Sequence, residues 1–405
     1  MNPYQPPIPD YYHEMSDSEL TKRIAARRAQ LSDDLLILGH HYQQDDVIQH
    51  ADLIGDSLKL SRCAAEVARK GGTKYIVFYG VRFMAETADI LTDDDVTVIL
   101  PDLGAGCPMA DMADYEDVVE AWASIHSVLG DNGNSRVIPV AYVNCSAAVK
   151  AFVGERAGSC CTSTNAPQIF SWALAGGTRP AATNEQIKVL FLPDQHLGRN
   201  TVSKIGLVTE SDQATGRVPS ATAVWDPKLE RGGLSEQQLR DAKVLLWAGH
   251  CTVHMRFQVE HVDRARREFA RQGGVTVIVH PECRKEVVDN ADDAGSTDYI
   301  ISRIEEAKPG SNWVVGTEVH LVNRLALRAA SRGVNVRLFG ESLCLCVMMF
   351  RINQQHLLWT LDNLAQGREV NRIRVHPTIK VPARRALQRM LTDNGHAPSV
   401  RRTAS

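Results

Sequence analysis

The stretch Val-Leu-Leu-Trp-Ala-Gly-His-Cys-Thr-Val-His, from Val244 to His254, carries an apolar run into Gly249 and then sets Cys251 and His254 three apart. Taken alone, a Cys-x-x-His pair has the spacing of zinc ligands. The chain holds nine cysteines, at positions 63, 107, 145, 160, 161, 251, 283, 344 and 346. An odd number in a long chain whose start lacks a secretion signal argues against a disulfide framework. Some of these thiols should therefore be buried hydrophobes and others chemical, and position must separate them. His280 and Glu282 lie two apart in His-Pro-Glu-Cys and can face one cavity if the chain turns at Pro281. Tyr42 and Tyr142 each follow an apolar run. There a phenol can donate to a developing oxyanion or relay a proton.

The elements that would position these groups repeat three times. Short apolar runs, closed by Gly, Pro or polar residues and followed by a helical period, are the pattern of parallel βα units. The first set starts at Leu35, Lys74 and Val96, the second at Val137, Ile187 and Ala242, and the third at Val275, Asn312 and Val334. The third strand of every set ends in a Gly-containing turn with a cysteine: Cys107, Cys251, and Cys344 or Cys346. His40 precedes Cys107 by 67 residues, and His280 precedes Cys346 by 66. The fold expected is α/β: three homologous three-layer αβα domains with parallel sheets around a pseudo-threefold axis, and a central active site. The expected boundaries are 20–113, completed by C-terminal helices within 354–395; 114–252; and 253–349. Residues 209–233, polar and poor in helical pattern, read as a surface excursion or lid in the second domain.

Parallel sheets gather ligands at the carboxyl ends of their strands, so three strand-end cysteines would point at one centre. Each set also places a Ser or Thr at a helix start: Ser57, Ser163, and Ser296 with Thr297. Such hydroxyls cap helices, and helix N-termini hold carboxylates and phosphates, so the centre should bind a polyanion. Three thiolates with an open fourth position suit either zinc or a 4Fe-4S cluster, and spacing does not choose between them.

Composition sets the outer bounds. With 405 residues, 44% of them hydrophobic and 23% charged, the chain can bury two or three cores. The net charge of -3 gives no general attraction to nucleic acid or to anionic membrane, and the basic tail from Arg368 onward reads as solvated surface. The start lacks a charged segment followed by an apolar one, and no eighteen apolar residues run together, so a cytoplasmic protein outside the membrane is expected.

Eleven motifs in order resemble the quinolinate synthase family: GHHYQ, ADLIGDSLKLS, GVRFMAETA, LPDLGAGCPMADM, AYVNCSAAVKA, CCTSTNA, LPDQHLGRN, GHCTVH, HPEC, GST and CLCVMMF, spanning about Leu36 to Asn353. The resemblance implies an enzyme that condenses iminoaspartate with dihydroxyacetone phosphate to give quinolinate on the way to NAD. It also implies a 4Fe-4S cluster on Cys107, Cys251 and Cys346, with one iron open as a Lewis acid. Cys346 is preferred to Cys344 because it lies three residues before Met349, although Val347 stands where many relatives have Pro. The same resemblance makes Glu282 a general base, Tyr42, Tyr142 and His254 further catalytic groups, and His40, Asn144 and His280 substrate contacts. Ser57, Ser163, Ser296 and Thr297 would hold the anions. Glu86, Asp194, His196 and Glu318 would enter the site or brace its loops, and His41 has no assigned partner. An aspartate oxidase or dehydrogenase would supply the iminoaspartate, and a homodimer is compatible with the pattern. The rival readings are a non-enzymatic iron or redox sensor using the same thiols, and a zinc-dependent lyase.

Overall fold

A computed structural model of the chain describes residue 5 and residues 7–130, 134–215, 220–340 and 344–392. The end of the basic tail, 393–405, lies outside these residues, as does 216–219 within the expected excursion. Fourteen strands are present among the described residues: β1 (Leu35–His40), β2 (Leu53–Gly55), β3 (Tyr75–Tyr79), β4 (Thr97–Ile99), β5 (Ser135–Tyr142), β6 (Ser159–Cys161), β7 (Gln186–Leu192), β8 (Thr222–Trp225), β9 (Val244–Trp247), β10 (Thr276–Val279), β11 (Asp293–Ala294), β12 (Asn312–Gly316), β13 (Asn335–Leu338) and β14 (Arg372–Ile373).

These strands form three sheets, ordered β14-β4-β3-β1-β2, β6-β5-β7-β9-β8 and β11-β10-β12-β13. All pairings are parallel except β14 on β4. The three strands read from each sequence set stand side by side in chain order, and a short strand (β2, β6 or β11) flanks the first of each set. Runs such as Val140–Tyr142, Val189–Leu192 and Val244–Trp247 are buried at successive positions rather than alternate ones, as strands covered by helices on both faces require. Helices between the strands supply those outer layers, giving α/β three-layer sheets.

The chain separates into two compact units. One comprises residues 1–111 and 250–376 and holds the first and third sheets; the other comprises 112–249 and 377–405 and holds the second. In the first unit, the helix Ser57–Lys70 shows the local rules at work. Asp56 caps it by accepting from the Lys59 amide at 2.8 Å, and Gly71 ends it at φ +67°. The helix Gln354–Leu364 packs on the helix Asp17–Leu31, and β14 extends the first sheet.

The last helix, Pro377–Leu391, packs against the helix Ala147–Glu155 and β6 in the second unit. Gly154 permits this close approach, because a Cβ there would stand 1.8 Å from the Pro382 carbonyl oxygen. Within 209–233, β8 joins β9 in parallel, burying Ala223 and Trp225. Gly232, at φ +64°, passes beneath the Trp225 ring where a Cβ would lie 2.3 Å from it. No helix among the described residues is long and apolar enough to cross a membrane.

Candidate active site

Cys107, Cys251 and Cys346 all belong to the first unit and share one local construction. Each opens a helical turn: its carbonyl accepts the amide four residues on, from Asp111 at 3.1 Å, Met255 at 3.1 Å and Phe350 at 3.0 Å. Each sulfur also faces the amide three residues on, that of Ala110, His254 or Met349. The amide dipoles of each turn favour a thiolate. Pro108 begins the first of these helices, where its missing N–H costs nothing.

Burial pushes the thiols the other way, Cys107 to about 12, Cys346 to about 11 and Cys251 well above its ordinary value. Cys251 is raised further by Glu282, Cys346 and Cys107, so the three sulfurs lie within electrostatic reach of one another. Three half-buried thiols held within electrostatic reach, each with an amide facing its sulfur, fit a cationic centre that neutralises their thiolates. Among the described residues the other thiols are placed differently. Cys145, Cys160, Cys161 and Cys283 are fully buried, Cys63 is half-buried on the helix Ser57–Lys70, and Cys344 sits in the third sheet's core with Val253 and Phe257.

Beside Cys251 stands a pair of buried ionisable side chains. His254 Nδ1 lies 2.7 Å from Glu282 Oε2, and the His254 ring stacks on His280 at 4.6 Å. The Cys251 sulfur, a His254 nitrogen and a Glu282 oxygen all lie within 4.8 Å of one another, close enough to consider a single-ion site. The short His254–Glu282 contact instead sets an imidazole nitrogen against a carboxylate oxygen at ion-pair distance.

His40 and His280 repeat one turn at the ends of β1 and β10. The Tyr42 amide donates to His40 Nδ1 at 3.2 Å, and the Glu282 amide to His280 Nδ1 at 3.3 Å. An accepting Nδ1 places the proton on Nε2, so both rings present an N–H donor while neutral. Burial holds both neutral, lowering each to about 3; neighbouring His41 and Arg324 also act on His40, whereas Glu282 opposes the shift on both rings.

Tyr42 is half-buried, and its hydroxyl lies 2.8 Å from Thr317 Oγ1 and 3.2 Å from Thr297 Oγ1. Burial raises its phenol well above the ordinary value, so it serves as a neutral donor. The loop carrying it is anchored by Arg324, which donates to the carbonyls of His41 and Gln43 and pairs with Asp45 at 2.7 Å. His41 itself pairs with Asp298 at 3.3 Å.

The helix-start hydroxyls divide. Ser296 caps the helix Thr297–Glu305, accepting from the Tyr299 amide, and Thr297 follows it against Tyr42. At Ser57 the expected cap is Asp56 instead, and Ser57 is the first helical residue. Asn165, not Ser163, occupies the N-cap of the helix Ala166–Leu174. Carboxylate acceptors outcompete the neighbouring hydroxyl at the first site, and at the second Asn165 Oδ1 is turned back onto the Thr162 amide at 2.8 Å. In the second unit Tyr142 is buried at the end of β5, and the buried Asn144 Oδ1 has no hydrogen-bond partner among the described residues.

Sequence reading missed Thr317, and it left Glu318 between entering the site and bracing it. Glu318 caps the helix Val319–Ala330 through the His320 and Leu321 amides and also faces the Cys346 amide. Asp194 caps the helix Gln195–Lys204 through the corresponding His196 and Leu197 amides. The shared acid-x-His-Leu pattern was the available signal for these bracing carboxylates.

The family model for quinolinate synthetase A protein matches residues 22–392. Curated relatives named quinolinate synthase include that of Acidobacterium capsulatum, 48% identical over 95% of this chain and 96% of its own length. That of Herpetosiphon aurantiacus is 49% identical over 95% of each chain. The Streptomyces coelicolor relative is 47% identical over 93% of this chain and 89% of its own.

Proposed function

The chain belongs to the quinolinate synthetase A family, and we propose that it condenses iminoaspartate with dihydroxyacetone phosphate to form quinolinate, phosphate and water. The observation that carries this reading is the trio of cysteines, each opening a helical turn, beside the Glu282–His254 pair. Cys107, Cys251 and Cys346 would hold a 4Fe-4S cluster; its fourth iron, without a cysteine, supplies Lewis acidity toward a substrate oxygen when the cluster is bound.

The remaining steps call for proton movement and anion binding. Glu282 accepts a proton at its carboxylate, which stands 2.7 Å from His254 Nδ1. His40 and His280 donate from neutral Nε2–H groups to substrate oxygens without bringing charge that a buried site would penalise. Tyr42 donates its phenol proton to an oxyanion that develops during ring closure. Tyr142 and Asn144 keep the substrate-contact roles the resemblance implies, and Ser57, Ser163, Ser296 and Thr297 those toward phosphate and carboxylates. An aspartate-oxidising enzyme would have to supply the unstable imine.

Anaerobic metal analysis with a quinolinate assay on wild type, Cys251→Ala and Cys344→Ala tests this reading. Wild type should hold about four irons per chain and form product. Cys251→Ala should lose both, and Cys344→Ala neither. A colourless, iron-free protein that still makes quinolinate would overturn the cluster assignment.

A further inference from the structure

An ion pair joins the loops that carry Cys107 and Cys346. Asp102 lies five residues before Cys107, and Arg351 lies five after Cys346. Arg351 Nε stands 2.9 Å from Asp102 Oδ2, and its Nη2 donates to Oδ1 at 3.4 Å. The Asp102 side chain is 5% exposed and that of Arg351 50%. A pair of fully exposed charges contributes little, but a carboxylate stripped of water depends on the cation that faces it.

Both ends of the pair are themselves anchored. Asp102 Oδ1 accepts from the Gly104 amide at 2.7 Å, closing the turn that leads to Cys107. Arg82 holds the same turn, donating from its amide to the Ala105 carbonyl at 2.8 Å and from Nη2 to the Leu103 carbonyl at 2.9 Å. Past Cys346, Gln44 Nε2 donates to the Phe350 and Ile352 carbonyls, each at 3.1 Å, so Arg351 extends from backbone fixed on both sides. Gly104 leaves room for the guanidinium: a Cβ there would stand 2.6 Å from Arg351 Nη2 and 2.8 Å from its Cζ.

We propose that the Arg351–Asp102 pair is a positioning brace that fixes the separation of Cys107 and Cys346, with Gly104 as the gap through which it forms. The inference rests on the cluster reading for its consequence in iron retention, whereas what it says of the two thiols stands apart from that reading. Cysteines on separate loops must be brought together before they can hold one centre, and a brace already formed in the protein removes part of that ordering cost. The pair includes none of the proton-moving groups, so it acts on how long the centre is held.

The test compares wild type with three single variants. Arg351→Met keeps the stem and loses the charge, Arg351→Lys keeps the charge and loses the fork, and Gly104→Ala keeps both charged groups and wedges them apart. Asp102→Asn, which retains an oxygen for the Gly104 amide, completes a double-substitution cycle with R351M. In the anaerobic iron-loaded protein, loss of the cluster absorbance to EDTA should be at least about fivefold faster in R351M and G104A, as coupling between contacting residues predicts. R351K should fall between these and wild type, and D102N/R351M should lose iron no faster than the worse single variant. In the iron-free protein, alkylation by iodoacetamide, followed peptide by peptide, should speed up at Cys107 and Cys346 in R351M and G104A, with Cys251 and Cys145 at wild-type rates. Unchanged alkylation at Cys107 and Cys346, or faster alkylation of all four thiols alike, overturns the brace. Wild-type iron loss in R351M and G104A, or additive effects in the double variant, overturns its role in retention. If wild type holds no iron, the cluster assignment fails, and alkylation alone then decides whether the pair positions the two thiols.

Discussion

Lowering the pH from 7 to 5 should destabilise the protein through His40 and His280 and stabilise it through Glu318, in amounts that single substitutions can separate. Both histidines are held neutral down to about 3 by burial, against an ordinary value of 6.5. As pH falls through 6.5 the unfolded chain binds protons that the folded chain refuses, so stability is lost until about pH 3. Between pH 7 and 5 the loss is about 2 kcal/mol for each ring. Glu318 has the opposite sign: burial raises its carboxyl to about 8, only partly offset by the amides it caps. The folded state therefore protonates first as pH falls from 8 toward 4.5, contributing about 2–3 kcal/mol of stability between pH 7 and 5. Wild type should show a net loss of about 1–2 kcal/mol that partly conceals these opposing effects. His280→Asn keeps an acceptor for the Glu282 amide and should lose about 2 kcal/mol less than wild type over this range. Glu318→Gln keeps the cap and should lose about 2–3 kcal/mol more. Urea unfolding at both pH values measures each difference. Identical pH dependence in all three proteins would refute the assignment of these shifts to burial.

Glu282→Gln should lower the rate of quinolinate formation by about 10²–10⁴ with iron retained, because the amide cannot accept the proton while all three thiols remain; wild-type turnover would remove Glu282 from the base role. Gly154→Ala should destabilise the second unit by about 1–3 kcal/mol in urea unfolding, since the new methyl group meets the Pro382 carbonyl and forces the two helices apart. An unchanged midpoint would mean that the helices separate at little cost.

Much of the α/β architecture was legible because its signals are periodic. Nine apolar runs, three to a set, became nine adjacent strands, and parallel burial explains why those runs lack alternation. The flanking strands β2, β6 and β11 escaped notice because two or three residues carry no period. β8 was concealed in a polar segment, its four residues being too few to outweigh their neighbours. At the site, strand-end position singled out the cysteines, whereas choosing Cys346 over Cys344 required the family resemblance. Thr317 was invisible for a different reason: a threonine after Gly316 is an ordinary strand exit until Tyr42 and His254 are placed beside it. Caps were misread where a carboxylate or amide one or two residues away competed with the expected hydroxyl, at Asp56 and Asn165.

The turns at His40–Tyr42 and His280–Glu282 also bear on how the repeated halves of the first unit could diverge. In each, a backbone amide, which every residue but proline supplies, sets the histidine tautomer. The side chain two positions on is therefore free of that duty. One turn carries a phenol and the other a carboxylate while both imidazoles keep the same proton on the same nitrogen, so each turn is an interchangeable socket beside a fixed donor.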